Sequence, residues 1–198
     1  MASRTGEAVV TRVALLVALL VPFADAALAR ESLPPPSTTL EALFTPGDTI
    51  DQTLAAMIDD AKREVLLQAF SFTSRRIARA LTAAHRRGVH VEVLADRGQA
   101  LESPGGAVTT MARDGVPVWL DGNFAAAHNK VVIVDAGEPG VALVTGSYNF
   151  TSAAQFRNAE NVLIVRNDAP LAAQYRANFV ALRGRAERYT PAPAKAAR

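Results

Sequence analysis

Two short apolar segments on either side of a turn-rich stretch constrain the fold of this chain most tightly. The segments are residues 131–134 and 141–144, and residues 136–140 between them have the sequence AGEPG. Apolar runs of this length bounded by glycine and proline predict the two strands of an antiparallel hairpin. A turn centred between Glu138 and Pro139 then sets the register of the strands.

Four polar residues lie at the open end of this hairpin. His128 and Lys130 lead into the first strand, and Ser147 and Asn149 follow the second. Side chains two apart on a strand point to the same side, so each pair shares one face. The predicted register sets His128 opposite Asn149. It also sets Lys130 opposite Ser147, so the four polar groups converge.

These side chains suit the hydrolysis of a phosphodiester. A neutral imidazole is a nucleophile near neutral pH, and attack by His128 on phosphorus would form a phosphohistidine that water later hydrolyses. Lys130 would supply a fixed positive charge to the phosphate oxygens. The Ser147 hydroxyl and the Asn149 amide would supply hydrogen-bond donors to the same oxygens. Such a site requires no metal and no other cofactor.

Two carboxylates are further candidates for the catalytic site. Glu160 begins the apolar run 162–165, and a carboxylate there could hold an imidazole N–H and fix its tautomer. Asp135 completes the pattern H-x-K-x4-D and is included among the candidate catalytic residues. In a regular strand it lies on the face opposite Lys130, which favours a structural ion pair or a turn hydrogen bond.

Each of these residues alone also has a purely structural interpretation. A histidine and a lysine two apart are common on strands, and Glu160 suits a solvated position. Ser147 and Asn149 suit a turn or a strand edge. Their combination at matching strand positions favours a site.

The segments that carry these residues resemble the signature of the phospholipase D superfamily. They are residues 128–135 (HNKVVIVD), 145–151 (TGSYNFT) and 158–161 (NAEN), and the likeness is to small single-motif bacterial endonucleases of the Nuc type. It covers roughly Leu40 to Tyr189. One departure is the ten-residue link 136–145, which is longer than the family usually has. We expect a longer hairpin tip there and an intact site.

The resemblance implies a role for each residue of the site. His128 would be the nucleophile, and Lys130 and Asn149 would bind phosphate. Ser147 would assist them, and Glu160 would orient a catalytic imidazole. The fold implied is that of a phospholipase D-like nuclease.

The order of helical and strand patterns predicts an α/β single domain, a mixed β-sheet flanked by helices on both faces. The strand–helix–strand order of residues 64–93 predicts a parallel pair of strands. Residues 99–106 are predicted to form a mobile loop. The predicted helices are residues 48–63, 75–87, 107–114 and 169–183, and the predicted strands are residues 64–72, 89–93, 116–120, 162–165 and the two arms of the hairpin.

A single motif histidine predicts a homodimer. Displacing an alkoxide from phosphorus requires a nucleophile on one side and a proton donor on the other, and one imidazole cannot serve both. The other histidines, His85 and His90, are expected to be exposed or half-buried outside the site. An isologous interface would bring His128 to face its symmetry mate. Superfamily members with two motifs per chain resemble fused dimers and imply the same.

The first 29 residues predict that the protein is exported. Arg4 and Arg12, the apolar run 13–24 and small residues up to Ala29 have the parts of a secretory signal cleaved after Ala29, with an uncleaved anchor as the alternative. The destination would be the periplasm or the medium. The absence of cysteine excludes disulfides and thiolate metal sites. The predicted organisation is a signal at 1–29, a proline-rich linker at 30–39, a nuclease domain at 40–189 and a disordered basic tail at 190–198.

Charge and aromatic residues point to nucleic acid. The net charge is only +2, but arginines cluster within residues 75–87, and Arg183, Arg185, Arg188, Lys195 and Arg198 cluster towards the end. Such clusters predict salt-sensitive binding to DNA or RNA, with a solvated helix face and a frayed tail as the alternative. Phe124 and Tyr148 are candidates for stacking on bases, whereas Trp119 is predicted to be core.

The leading hypothesis is a secreted, metal-independent, sequence-nonspecific endonuclease that cleaves DNA, and RNA as a further substrate. A phospholipase D or cardiolipin-type lipid hydrolase is the second, because the same atoms attack any phosphodiester. A non-catalytic nucleic-acid-binding dimer is the third, and the intact His128, Lys130, Ser147 and Asn149 argue against it.

Overall fold

The structure is a computed structural model that describes residues 37–102 and 105–192. The predicted secretory signal, most of the predicted linker and residues 193–198 of the predicted tail lie outside the described residues. None of the helices in the described part of the chain has the length and apolarity that a membrane crossing requires.

Eight strands form one mixed sheet in the order β1-β7-β6-β5-β2-β3-β4-β8. Strands β2, β3 and β4 are parallel neighbours, and every other neighbouring pair is antiparallel. The parallel pair predicted from the strand–helix–strand order is therefore confirmed. The strands are β1 (Thr39–Thr45), β2 (Glu64–Ala69), β3 (His90–Asp96), β4 (Val118–Asp121), β5 (Lys130–Val134), β6 (Ala142–Gly146), β7 (Glu160–Arg166) and β8 (Glu187–Arg188).

Helices cover both faces of this sheet, which confirms the predicted fold class. Apolar side chains of α1, α2 and α4 pack on one face, and Phe179 of α6 packs on the other. Because helices bury both faces, the central strands are apolar in continuous runs. The helices are α1 (Ile50–Asp60), α2 (Arg75–Arg86), α3 (Arg97–Leu101), α4 (Ala107–Arg113), α5 (Ser152–Phe156) and α6 (Ala169–Arg183).

Local signals explain the bounds of the predicted helices. The Ser74 side chain accepts a hydrogen bond from the Ile77 N–H at the start of α2, and Gly88 follows its end with a positive φ of 89°. The Asp168 carboxylate caps α6 by accepting from the Leu171 N–H at 2.9 Å. These two helices match their predicted ranges to within one residue.

The sequence did not predict four elements, of which all but the seven-residue β1 have five residues or fewer. They are β1, β8, α3 and α5, and α3 occupies part of the predicted loop 99–106. Asp96 makes this helix possible, because its carboxylate accepts from the Gln99 N–H at 2.9 Å. Edge strand β1 exists through its pairing with β7, a contact distant in sequence.

The hairpin forms, but its predicted register was wrong by one residue. Val132 pairs with Val144 and Ile133 pairs with Leu143, so the turn is centred on Glu138. Asp135 ends the first strand in a left-handed conformation with a φ of 53°, which closes the turn one position earlier than predicted. The observed register therefore sets Lys130 opposite Gly146, and strand β6 ends before Ser147. The predicted pairing of Lys130 with Ser147 is not formed.

Candidate active site

Apart from Asp135, the polar residues of the motif lie at the edge of the sheet where the parallel strands β2, β3 and β4 end. This edge also holds the start of β5, the end of β6 and the start of β7. Ligands in α/β proteins commonly bind outside the carboxyl ends of such strands. Its loops therefore bring together residues far apart in sequence.

His128 is an exposed side chain on a rigidly attached segment. The Ala127 N–H donates to the Asp96 carboxylate at 2.9 Å, and the Phe70 N–H donates to the Asn129 carbonyl at 3.0 Å. The imidazole packs against the Phe70 ring with 4.5 Å between the ring centroids. Backbone anchors on both sides thus hold a solvent-accessible imidazole in one place.

Lys130 contacts this imidazole directly. Its Nζ lies 3.0 Å from His128 Nδ1, donates to the His128 carbonyl at 2.8 Å, and lies 5.0 Å from the centroid of the Phe70 ring. An ammonium has no lone pair, so Nδ1 accepts in this contact and the proton of a neutral ring is on Nε2. The lysine side chain is only 7% exposed, and its burial lowers the pKa of the ammonium while nearby Glu160 opposes that shift.

Ser147 and Glu160 form a hydrogen-bonded pair beside the lysine. The Ser147 hydroxyl donates to Glu160 Oε2 at 2.6 Å and accepts from the Asn161 N–H at 3.1 Å. The Asn158 amide donates to Glu160 Oε1 at 2.9 Å. Both carboxylate oxygens therefore have donors. Among the described residues, Glu160 makes no hydrogen bond to His128 of its own chain, so the predicted contact between that carboxylate and an imidazole is not formed within one subunit.

Gly146 allows this arrangement. A Cβ at this position would overlap the Asn161 carbonyl oxygen and crowd Val162. The close approach also lets the Ser147 N–H donate to the Asn161 carbonyl at 3.1 Å. Any larger residue at position 146 would therefore clash with β7, and the sequence alone did not indicate this requirement for glycine.

Asn149 is held at the same edge by the loop after β2. Its Oδ1 accepts from the Ser71 N–H at 3.4 Å, and the neighbouring Phe150 carbonyl accepts from the Thr73 and Ser74 N–H groups. The Asn149 amide nitrogen has no acceptor within the described ranges. It is therefore free to donate to a ligand.

Asp135 does not belong to the site, which corrects its inclusion among the catalytic candidates. It lies at the far end of β5, and its buried carboxylate accepts from the N–H groups of Lys62, Arg63 and Glu64 at 2.7–2.9 Å. These bonds also explain why α1 ends before residue 63. The role is structural, as strand parity favours.

The two aromatic candidates differ. Tyr148 is fully buried and donates to Gln155 Oε1 at 3.1 Å, and burial with nearby Asp51 and Glu160 raises the pKa of its hydroxyl. It cannot stack on a base, so that prediction was wrong. Phe124 is 48% exposed and lines a cavity together with His128. Phe150 is buried, and Trp119 is partly buried beneath Arg183 and Arg188.

Apart from Arg86, the arginines of α2 and the following residue Arg87 fall into two groups, those with a partner in α1 and those without a nearby carboxylate among the residues that the structure describes. Arg76 forms an ion pair with Asp51 at 2.9 Å, and Arg87 donates to the carbonyl oxygens of Ile58 and Asp59 at the end of α1. Arg75 and Arg79 are exposed and, within the described part of the chain, have no carboxylate within 4.0 Å.

Arg75, Arg79 and Arg86 line a groove of about 780 Å³ between α2 and α4. The groove starts at Thr73, beside the loop that holds Asn149, and Arg86 at its other end lies 3.6 Å from Asp114. We call it the α2–α4 groove. Its positive charge begins next to the candidate site.

Two residues that support the site, and one residue of a cavity beside it, were not identified from the sequence. Phe70 and Asp96 support His128, and Asp121 lines the adjoining cavity. All three follow or end a parallel strand, which is the one signal that could have indicated them. The described residues contain no group of three or more His, Cys, Asp or Glu side chains that could hold a metal ion.

Comparison with known proteins agrees with this geometry. The family model described as "Cardiolipin synthase, PLD-like domain" matches residues 54–183. A protein of Rickettsia bellii named "Phospholipase D" is 36% identical over 142 residues, which are 72% of this chain and 68% of that protein. A Xenopus laevis "Mitochondrial cardiolipin hydrolase" is 32% identical over 169 residues, covering 80% of this chain and 76% of its own.

A solved structure has the same fold. Nuc from Salmonella typhimurium, described as a phospholipase D family member, superposes with a TM-score of 0.70 at 31% identity, covering 77% of this chain and 99% of Nuc. The matched region contains every residue of the candidate site, and the family model spans more than half of the chain. This chain therefore belongs to the phospholipase D superfamily, and it is a phosphodiesterase of that superfamily.

Proposed function

We propose that this protein is a secreted or periplasmic endonuclease that hydrolyses DNA or RNA without a metal, through a phosphohistidine formed at a dimer interface. The observation that carries the proposal is the exposed His128 imidazole, anchored on both sides and in contact with the buried Lys130 ammonium. A nucleophile and a fixed cation at this spacing suit a phosphate, whose charge must be stabilised during displacement.

The first chemical step is attack of His128 Nε2 on phosphorus. The P–N bond forms as the P–O bond to the leaving oxygen breaks, and the partner subunit's His128 gives that oxygen a proton. In the second step, water gives a proton to the same partner imidazole and attacks phosphorus. The P–N bond breaks, and both imidazoles return to their starting state.

The observed contact to Lys130 fits a resting state and neither role in the reaction, because the proton donor must be an imidazolium, whose two ring nitrogens both carry protons. With Nδ1 accepting from the ammonium, a neutral ring carries its proton on Nε2. For the nucleophilic role Nε2 must be unprotonated, so the proton has to be on Nδ1 and Lys130 has to turn towards the phosphate. A carboxylate at Nδ1 would stabilise that tautomer, and we assign this role to Glu160 acting across the interface.

Exposed apolar side chains beside the site support the homodimer. On the β1–β7 edge, Phe44 is 57% exposed and Leu163 is 39% exposed. Phe44 pairs with Asn161, which contacts Ser147. Apolar surface at this place would be buried if a second copy covered the active-site face.

Basic and aromatic groups around the site favour nucleic acid as the substrate. The α2–α4 groove carries arginines away from Asn149, and the Arg185 guanidinium lies 5.8 Å from the centroid of the exposed Phe124 ring. Cations attract the phosphate backbone, and an exposed aromatic ring stacks on bases.

Phospholipid hydrolysis is the second candidate. It is supported by the names of the Rickettsia bellii and Xenopus laevis relatives and by the exposed Leu40 and Phe44, which could contact acyl chains. The chemistry at phosphorus would be the same.

The location outside the cytoplasm is proposed from the signal-like pattern of residues 1–29.

The test is a nicking assay on supercoiled plasmid DNA with EDTA present. The wild-type protein should cleave, and His128→Ala should abolish cleavage while retaining most DNA binding in a gel-shift assay. Vesicles containing an anionic phospholipid are assayed in parallel. Loss of cleavage in EDTA would refute the metal-independent mechanism, and much faster cleavage of the lipid would refute the substrate.

A further inference from the structure

A cavity of about 320 Å³ opens beside His128 on the face of the sheet that α6 covers. His128 and Asn129 form one side of it, and Phe124 stands at its edge. Leu94 and Leu182 provide apolar walls. Of the residues that line this cavity, the chemical steps proposed above use only His128.

Two buried polar side chains line this cavity. Gln68 is 3% exposed and Asp121 is 1% exposed. Such groups are costly to bury in an apolar wall, so they are usually satisfied by a partner or by a ligand. Strand pairing puts both on the same face of the sheet at the carboxyl ends of β2 and β4.

The hydrogen bonds of these two residues are incomplete. Asp121 Oδ1 accepts from the backbone and side-chain N–H groups of Asn123, both at 3.0 Å, while Oδ2 has no donor in the described ranges. The Gln68 amide nitrogen makes one long bond of 3.4 Å to Asn178, and its oxygen has no donor in those ranges either. The cavity therefore presents a carboxylate oxygen and an amide oxygen that can accept hydrogen bonds.

We propose that this cavity receives the base of a nucleotide next to the scissile phosphate, and that it favours bases with an amino group over thymine and uracil. This inference rests on the proposed nuclease function. Cytosine, adenine and guanine each offer N–H donors to the Asp121 carboxylate, whereas thymine and uracil present mainly carbonyl oxygens that a carboxylate repels. Phe124 stacks on the base at the cavity mouth.

The base must leave its stack to enter the cavity. Single strands offer unstacked bases at little cost, whereas a duplex requires unpairing. The proposal therefore also predicts faster cleavage of single-stranded than of double-stranded substrate at equal concentration.

The experiment maps cleavage positions in a pool of random single-stranded oligonucleotides. For the wild-type protein we expect thymine to be depleted about tenfold at one position flanking the cut. Asp121→Asn keeps an oxygen for Asn123 but turns its NH2 towards the cavity, so the bias should vanish or reverse towards thymine. Asp168→Asn is the matched control, because that aspartate also accepts a backbone N–H but lies outside the cavity.

A second measurement separates this inference from the proposed function. Bis(p-nitrophenyl) phosphate has no base, so Asp121→Asn should hydrolyse it within about twofold of the wild-type rate. A protein that hydrolyses this ester and no oligonucleotide would refute the nuclease function. A wild-type protein that cleaves oligonucleotides with no bias at either flanking position would refute the base cavity alone.

Binding of dCMP and dTMP to the wild-type protein by calorimetry provides a test that needs no variant. The dissociation constant for dCMP should be about tenfold lower. Equal constants would overturn the inference. So would tight binding of phosphoethanolamine in place of both nucleotides, because the carboxylate would then recognise the amine of a lipid headgroup.

Discussion

The two ends of strand β5 carry residues of one sequence motif but have different roles, one in the candidate site and one in holding the fold together. At its start, His128 is exposed, the buried Lys130 ammonium contacts its ring, and the imidazole has one hydrogen-bonding atom free. At its end, the Asp135 carboxylate is buried and accepts three backbone N–H groups. Both ends are polar, but only one has atoms left to bind a substrate.

This difference shows how a structure separates chemistry from architecture within a motif. A buried carboxylate that accepts three backbone N–H groups is not accessible to a ligand, and its removal lowers the stability of the fold. The buried Lys130 ammonium beside the exposed imidazole lowers the stability of the fold, because burial disfavours its charge, and we expect it to serve catalysis. The following variants test whether substitutions at the start of β5 mainly lower kcat and substitutions at its end mainly lower the free energy of unfolding.

Lys130→Met should have the largest effect, a loss in kcat of about 10²–10³-fold on plasmid DNA. The ammonium is the positive charge in contact with His128, and its removal leaves the phosphate oxygens without that charge. Single-turnover cleavage rates with EDTA present measure the change. A variant that retains a tenth or more of the wild-type kcat would show that the Lys130 ammonium contributes little to catalysis, which would contradict the difference in role between the two ends of β5.

Asp135→Ala should lower the free energy of unfolding by about 3 kcal/mol, because it leaves three N–H groups without their acceptor and puts alanine at a positive φ. Asp135→Asn tolerates that φ and should cost less. Urea denaturation measures both. The folded fraction should keep kcat within about threefold of wild type, and a much larger loss of kcat would return Asp135 to the catalytic residues.

Glu160→Gln should reduce kcat about tenfold or more, because the carboxylate that orients an imidazole becomes a neutral amide. If Glu160 acts across the interface, a mixture of His128→Ala and Glu160→Gln subunits should contain heterodimers with one intact imidazole–carboxylate pair. These heterodimers keep only one of the two histidines, so the readout is the single-turnover burst of p-nitrophenolate from bis(p-nitrophenyl) phosphate, a leaving group that needs no proton donor. A faster burst than either variant gives alone indicates action across the interface, and no gain indicates action within one subunit. Ser147→Ala is the control for the hydrogen bond between Ser147 and Glu160.

Arg75→Gln with Arg79→Gln should raise KM for long DNA about fivefold and leave kcat unchanged. Two fewer phosphate contacts should also reduce the slope of log affinity against log salt by about 2. Arg63→Gln with Arg113→Gln removes the same charge outside the α2–α4 groove and serves as the matched control. Equal effects of the two pairs would show that net charge, and not the groove, attracts the substrate.

The smallest expected effect is on stability at the catalytic end of β5. Burial lowers the pKa of Lys130 in the folded state, so the unfolded state binds more protons in the pH range between the two pKa values. The cost of the charge is fully present below that range and is lost as the pH rises through the folded pKa. Lys130→Met should therefore exceed wild type in unfolding free energy at about pH 7, with a smaller difference at about pH 10.

Local patterns were sufficient for the long elements and for the site residues at the ends of strands. Helix α6 matches its predicted range, and His128, Lys130, Ser147 and Asn149 do lie at one edge of the sheet. The register of the hairpin was not predictable, because it depends on the left-handed conformation of Asp135. That conformation is stabilised by backbone groups of residues 62–64, distant in sequence.

Periodicity, turn residues and the motif spacing by themselves determined an α/β domain with a histidine and a lysine beside a phosphate-handling cluster. These signals are local, since each depends on residues a few positions apart. Only the tertiary structure decided that Asp135 is an anchor, that Tyr148 is buried and that Gln68 and Asp121 line a cavity beside His128. Those outcomes depend on which distant strands become neighbours, and hydrogen-bond partners across a sheet are settled only when the chain has packed.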